Sequence, residues 1–323
     1  MRAFQITAPN KFGLTEVPEP PLAAGECRVR VRLAGICRTD LELAKGYMDF
    51  TGIPGHEFVG TVASGPERLL GRRVVGEINA ACGQCDDCRR GLERHCAQRT
   101  VLGIYKRPGA FAETLTLPAE NLLAVPDEVS DEDAVFTEPL AAALEILEQV
   151  PVPPGEHALV IGDGKLGLLI AQVLALHGCR VTLLGRHERK LALAKRWGVL
   201  TRVAGANDAA DLGKVPLVVE ATGSPAGFRT ALSAVRTRGT IVLKSTYAPS
   251  ELPALDAAKV VVDEITLVGS RCGRFAPALR LLALGKVDVR ALIDQRVPFA
   301  EAERGFDLAA RKGALKVLLQ FGL

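Results

Sequence analysis

Apolar and polar positions follow two different patterns along the chain. Over the first 125 residues the apolar positions fall in short β-type runs, such as CRVRVRLAG (27–35), HEFVGTVAS (56–64) and GRRVVGEI (71–78), broken by Gly and Pro. From about residue 150 the runs lengthen and alternate in kind. HALVIG (157–162) predicts a buried strand, KLGLLIAQVLALHG (165–178) a helix, CRVTLLG (179–185) a strand and ERKLALAKRWG (188–198) a helix. LVVEATG (217–223), FRTALSAVR (228–236), GTIVLKS (239–245) and EITLVGS (264–270) continue the alternation, which predicts an α/β unit with a parallel sheet covered on both faces. PVPPG (151–155) predicts a hinge before that unit. Beyond it, APALRLLALGK (276–286) predicts a helix, and mixed structure follows up to ALKVLLQF (314–321).

Length and composition narrow the class. The 323 residues suffice for two domains, and 48% hydrophobic with 24% charged residues is ordinary for a water-soluble protein. A net charge of +3 gives no reason to expect nucleic acid or a membrane surface as partner. No apolar run approaches the roughly 20 residues needed to cross a bilayer, and the N-terminus lacks the apolar core of a signal peptide, so a cytoplasmic protein is expected. Of eight cysteines, Cys82, Cys85, Cys88 and Cys96 are clustered, whereas Cys27, Cys37, Cys179 and Cys272 are scattered. In a reducing compartment such a cluster predicts thiolate ligands rather than disulfides.

The segment Gly162-Asp163-Gly164-Lys165-Leu166-Gly167 matches G-x-G-x-x-G between a predicted strand and a predicted helix, the context a dinucleotide fingerprint requires. Gly162 permits the tight turn, Gly164 lets backbone approach a pyrophosphate, and Gly167 lets helix and sheet pack closely. The helix N-terminus offers free N–H groups to the phosphates. The second strand ends in Gly185-Arg186-His187-Glu188-Arg189-Lys190, without the acid that holds the ribose 2′-hydroxyl of NAD. Gly185 together with Arg186, Arg189 and Lys190 therefore predicts NADP, with NAD as the alternative.

Cys82, Cys85, Cys88 and Cys96 form C-x2-C-x2-C-x7-C in a lobe of about residues 79–98. Four thiolates close a tetrahedral shell around Zn²⁺ and leave no position for substrate, which predicts a structural ion. An iron–sulfur cluster is the competing reading. A second group of ligand types stands apart in sequence: Cys37 in CRTD, His56 and Glu57 in GHEFVG, and Glu138 in TEPLA. A Cys, a His and a carboxylate would leave one zinc position open, as in catalytic sites, but sequence distance alone does not join them.

With these segments, in this order and with VVEATGS (218–224) and GKVDVRALID (285–294), the chain resembles the medium-chain zinc-dependent dehydrogenase family over essentially its whole length. EPLA resembles the sorbitol and threonine dehydrogenase branch. The resemblance implies a GroES-like, β-rich catalytic domain (1–149 and 271–323) around a Rossmann doubly wound parallel-sheet domain (150–270). It implies two zinc ions per chain, the catalytic one held by Cys37, His56 and either Glu57 or Glu138. Asp40 would orient His56, and Thr39 would hydrogen-bond the substrate hydroxyl and take its proton. Arg38 and Lys316 would stand near the pyrophosphate, and Thr222 and Gly223 would line the cofactor. Glu42 replaces the relay histidine of simple alcohol dehydrogenases, so the proton leaves by Glu42 or by water. The implied activity is an NAD(P)-dependent alcohol or polyol dehydrogenase with a small-molecule substrate, working as a homodimer or homotetramer. The alternatives are a zinc-independent quinone or enone reductase on the same fold, or a non-catalytic protein that binds dinucleotide and zinc.

Overall fold

The computed structural model describes residues 1–205, 212–247 and 253–322. Its elements begin with β1 (Arg2–Ala8), β2 (Lys11–Glu16), β3 (Glu26–Gly35), α1 (Arg38–Ala44), β4 (Glu57–Ser64), β5 (Arg73–Gly76) and β6 (Asn79–Ala80). Then come α2 (Asp86–Arg89), β7 (Thr100–Leu102), β8 (Lys106–Arg107), β9 (Thr114–Pro118), β10 (Leu122–Ala124), α3 (Asp131–Ala134) and α4 (Thr137–Gln149). The alternating stretch follows as β11 (His157–Ile161), α5 (Lys165–Leu176), β12 (Arg180–Gly185), α6 (Glu188–Arg196), β13 (Leu200–Val203) and β14 (Val215–Glu220). It continues with α7 (Pro225–Ala234), β15 (Val235–Leu243), α8 (Ala257–Val262) and β16 (Thr266–Gly269). The last elements are α9 (Phe275–Ala283), β17 (Ile293–Pro298), α10 (Ala302–Ala310) and β18 (Lys316–Gln320). Among the described residues no helix is long and apolar enough to cross a membrane.

The chain divides into two units, Met1–Glu138 with Phe275–Leu323, and Pro139–Arg274. In the first, alternation along β3 buries Cys27, Val29, Val31 and Leu33 while Arg28, Arg30 and Arg32 reach outward, the two-residue period of a sheet with one covered face. The sheet runs β10-β5-β4-β3-β18-β17, with β9 also on β3. β18, from the far end of the chain, lies antiparallel to β3 and parallel to β17. Register pairs Gly35, at the end of β3, with Glu57, at the start of β4. That pairing sets the candidate site, because Cys37 follows Gly35 by two residues and His56 precedes Glu57 by one.

The second unit is a parallel sheet in the order β13-β12-β11-β14-β15-β16. Counted from β11, this is the 3-2-1-4-5-6 order of the doubly wound dinucleotide fold, with its strand order reversing between β11 and β14. Leu159, Ile161, Val218, Phe228, Leu232 and Ile241 form part of its core. Each such side chain contributes about 1.5–3 kcal/mol on burial. Two boundaries differ from the sequence pattern. The helix expected from Phe228 starts at Pro225, because Ser224 accepts the Gly227 N–H (3.1 Å) and a proline takes the first helical turn. β15 starts at Val235, so the polar RTRG segment extends a strand rather than ending a helix. PVPPG lies inside this unit, with the Gly155 N–H donating to Gly178 O (2.8 Å).

Candidate active site and nucleotide site

In the first unit, one ligand atom from each of Cys37, His56 and Glu57 lies within 4.8 Å of the others. The local sequence explains their placement. Cys37 caps α1, and the Asp40 carboxylate in the first turn accepts the Cys37 N–H (2.7 Å). The other Asp40 oxygen accepts the Gly55 N–H (3.1 Å) and stands 3.3 Å from His56 Nδ1, a contact too misaligned for a hydrogen bond. Asp40 is fully buried and thus ties both ligand loops together. Burial alone would lower the His56 pKa; the Asp40 carboxylate and the Cys37 thiol outweigh it and raise the imidazole well above its ordinary value. Thr39 Oγ1 lies 3.9 Å from Cys37 Sγ.

Glu57 is buried and its carboxylate pairs with the ammonium of Lys316, which also stands 5.6 Å from the centroid of the Phe136 ring. Lys316 is thus turned to an interior carboxylate, because β18 lies beside β3 and its first residue faces the start of β4. Arg38 is exposed and pairs with Glu42 (2.7 Å), which also pairs with Lys45 (3.2 Å). Glu138 sits half-buried in the first turn of α4 and is not among the three residues whose ligand atoms converge.

The four lobe cysteines converge separately. Their sulfurs lie 3.5 Å (Cys82–Cys96), 3.5 Å (Cys85–Cys88), 3.6 Å (Cys85–Cys96) and 4.0 Å (Cys82–Cys88) apart, and none is in a disulfide. Four sulfurs at 2.3 Å from a tetrahedral Zn²⁺ would be about 3.8 Å apart, so the set fits that ion. The N–H groups of Gln84 and Cys85 lower the Cys82 thiol to about 6, whereas burial and neighbouring thiols push Cys88 up to about 12.

In the second unit the glycine loop follows β11 at the carboxyl ends of the strands. A Cβ on Gly167 would overlap the carbonyl oxygen of Gly162, whose φ is 116°. A Cβ on Gly164 would meet nothing within 4 Å, which leaves open space at the N-terminus of α5, where free N–H groups favour an anion. Lys165 and Leu166 open α5, and both are partly exposed. Arg186 and Arg189 are exposed, Lys190 is buried, and Gly185 closes β12. Thr222 and Gly223 form the turn after β14, where the buried Glu220 carboxylate accepts both their N–H groups and the Tyr247 hydroxyl (2.8 Å). Burial and that carboxylate push the Tyr247 pKa above its ordinary value. Sequence reasoning missed Asp163 and His187, whose signal was an acid inside the fingerprint opposite a glycine at the strand end.

The alcohol dehydrogenase GroES-like domain matches residues 23–127, and the zinc-binding dehydrogenase family matches residues 166–284. The L-threonine 3-dehydrogenase of Chelativorans sp. (strain BNC1) is 31% identical, with 99% of each chain covered. The chain belongs to the medium-chain zinc-dependent alcohol dehydrogenase family. Among solved structures, an alcohol dehydrogenase from Escherichia coli CFT073 complexed with NADH superposes with a TM-score of 0.90 at 28% identity, over 99% of each chain. A zinc-binding dehydrogenase of Sinorhizobium meliloti 1021 bound to NADP gives 0.90 at 25% identity, covering 99% of this chain and 98% of that one. As a member of this medium-chain family, the protein is a zinc-dependent oxidoreductase that acts on CH–OH donors with a nicotinamide cofactor.

Proposed function

We propose that the protein binds two zinc ions per chain, a structural one at Cys82, Cys85, Cys88 and Cys96 and a catalytic one at Cys37, His56 and a glutamate, and that it oxidises a polyol or amino alcohol. The convergence of Cys37, His56 and Glu57 within 4.8 Å carries this reading. Three protein ligands leave a tetrahedral ion one open position. Zinc there, when bound, makes a hydroxyl more acidic and polarises a carbonyl. The chain's own residues hold that arrangement. Asp40 fixes the Cys37 backbone and stands beside His56, Thr39 offers a hydroxyl next to Cys37 for the substrate proton, and Lys316 pairs with the Glu57 carboxylate. Glu138 is the alternate carboxylate. Arg38 remains the candidate cation for the pyrophosphate, and Lys165, Leu166, Thr222 and Gly223 the candidate lining of the nucleotide site.

The cofactor proposed is NADP, because Gly185 leaves the end of β12 without its own acid and Arg186 and Arg189 are exposed beside it. The names of the threonine dehydrogenase of Chelativorans and the D-arabinitol dehydrogenase 1 of Uromyces fabae motivate the substrate class. Eight cysteines outside any disulfide suit a reducing compartment such as the cytoplasm, and a homodimer or homotetramer is the proposed assembly. The test is metal analysis with a screen of polyols and amino alcohols against NADPH and NADH. Wild-type protein should hold two zinc ions, and Cys37→Ser should hold one and lose at least a thousand-fold in kcat/KM while keeping its circular dichroism. Full activity in that variant would rule out substrate on the Cys37 metal.

A further inference from the structure

The end of β12 lacks an acid of its own, yet a carboxylate stands there. A Cβ built on Gly185 would lie 2.5 Å from Asp163 Cβ and 2.7 Å from both Asp163 Cγ and Oδ2. Asp163, from the middle of the glycine-rich fingerprint, therefore fills the space a side chain at position 185 would occupy. Its Oδ2 accepts the N–H groups of Arg186 (2.7 Å) and His187 (2.6 Å), and His187 Nδ1 lies 3.0–3.1 Å from its two oxygens. The carboxyl is ionised. Burial would raise its pKa, but the hydrogen bonds from His187 and the charge of Lys190 hold it below the ordinary carboxylate range.

These contacts bear on the nucleotide in two ways. Arg186 and His187 precede α6 directly, and their backbone N–H groups are the kind of donor that binds phosphate at a helix start. Asp163 occupies both. It also sets a negative charge beside the place where a 2′-phosphate would add two more. We infer that Asp163 is a specificity-determining residue of the nucleotide site: it stands in for the absent strand-end acid and selects against a 2′-phosphate, in opposition to Arg186 and Arg189. The inference rests on the nicotinamide-nucleotide reading of this loop. It makes the cofactor preference a balance between a carboxylate lent by one loop and cations on the next, and predicts that removing the carboxylate shifts that balance toward NADP.

Calorimetric titration of the full chain with NADPH and with NADH reads the balance without a known substrate. Asp163→Ala should raise the NADPH-to-NADH affinity ratio about ten-fold, the order expected for removing one unit charge at this range, mainly through tighter NADPH binding. Asp163→Asn, which keeps the shape, should move the ratio the same way. The double exchange Asp163→Gly with Gly185→Asp returns the acid to the strand end and should bring the ratio back toward or below that of wild type. A ratio unmoved, or lowered, in both single variants would overturn the inference while leaving the nucleotide site intact. Wild-type protein that binds neither nucleotide would overturn the underlying reading and the inference with it. Thermal unfolding checks the geometry separately. Gly185→Ala should lower Tm in the wild-type background and lower it much less beside Asp163→Gly, which removes the Asp163 Cβ that stands 2.5 Å from the added methyl; equal losses would show that the two side chains do not share that space.

Discussion

Glu57 and Lys316 form a pair with 1% side-chain exposure each, closed by residues 259 positions apart. Two such charges are tolerated in a protein interior only together, because either alone faces a desolvation penalty of several kcal/mol. Gly35 belongs to the same arrangement, since a Cβ there would overlap the Glu57 carboxylate. Lys316→Met should therefore cost about 3–5 kcal/mol in urea denaturation, and Glu57→Gln added to it should recover most of that loss. A single variant within about 1 kcal/mol of wild type would mean that the charges are not held together in the dry interior. Cys37 and His56 could be picked out in the sequence because each sits in a short segment with a recognisable neighbour, Asp40 and Glu57. The Lys316–Glu57 contact could not, because it depends on how the last strand registers against β3. The family resemblance points Lys316 toward the pyrophosphate, whereas in the fold it pairs with the Glu57 carboxylate.

Helices and turns carry the next set of consequences. In the glycine loop, Gly167 and Gly164 differ in what a methyl group would meet, backbone in one case and open space in the other. Gly167→Ala should destabilise the fold by about 1–3 kcal/mol, the usual range for overpacking. Gly164→Ala should leave Tm within a few degrees and weaken dinucleotide binding, measured by titration. Affinity unchanged in Gly164→Ala would remove the pyrophosphate from that space. Helix α3 has an electrostatic dependence of its own. Ser130 caps it by accepting the Asp133 N–H (3.1 Å), and Asp133 pairs with Arg290 (2.8 Å). Burial would raise the Asp133 pKa, but Arg290 and Ser130 outweigh it and the carboxyl lies below its ordinary range. A folded pKa below the unfolded one gives stability that is complete above about pH 3.9 and disappears as pH falls through the folded value. Arg290→Met should accordingly lower Tm at about pH 6, and the gap to wild type should narrow progressively as pH falls below about 3.9. A gap that persists in acid would assign it to packing instead. Five of the six strands in the sheet of the second unit were legible because each is an apolar run; β13, with the largely exposed sequence LTRV, was not. α4 and α10 were not, since neither shows a clear start signal in the sequence.

For the molecule as a whole, every candidate metal ligand lies in the first unit and the glycine fingerprint lies in the second. Treatment with a strong chelator should lower the apparent Tm, because thiolate-bound zinc contributes folding free energy directly. It should leave dinucleotide affinity within a few-fold of the untreated protein. Loss of nucleotide binding on chelation would show that the second unit depends on the metals. The division into a β-rich part and an alternating part was legible from texture alone, and the nesting of one inside the other came from resemblance, because no local pattern says that β18 returns to β3. That return makes the two candidate metal sites depend on different stretches of chain. The dinucleotide unit is continuous and can complete its sheet while the ribosome is still translating. The sheet beside Cys37 and His56 is completed only when β18 pairs with β3, which also brings the lysine that pairs with Glu57. A metal at the Cys37 cluster would therefore depend on β18 having paired with β3, whereas one at the four-cysteine lobe, whose candidate ligands are contiguous in sequence, would not.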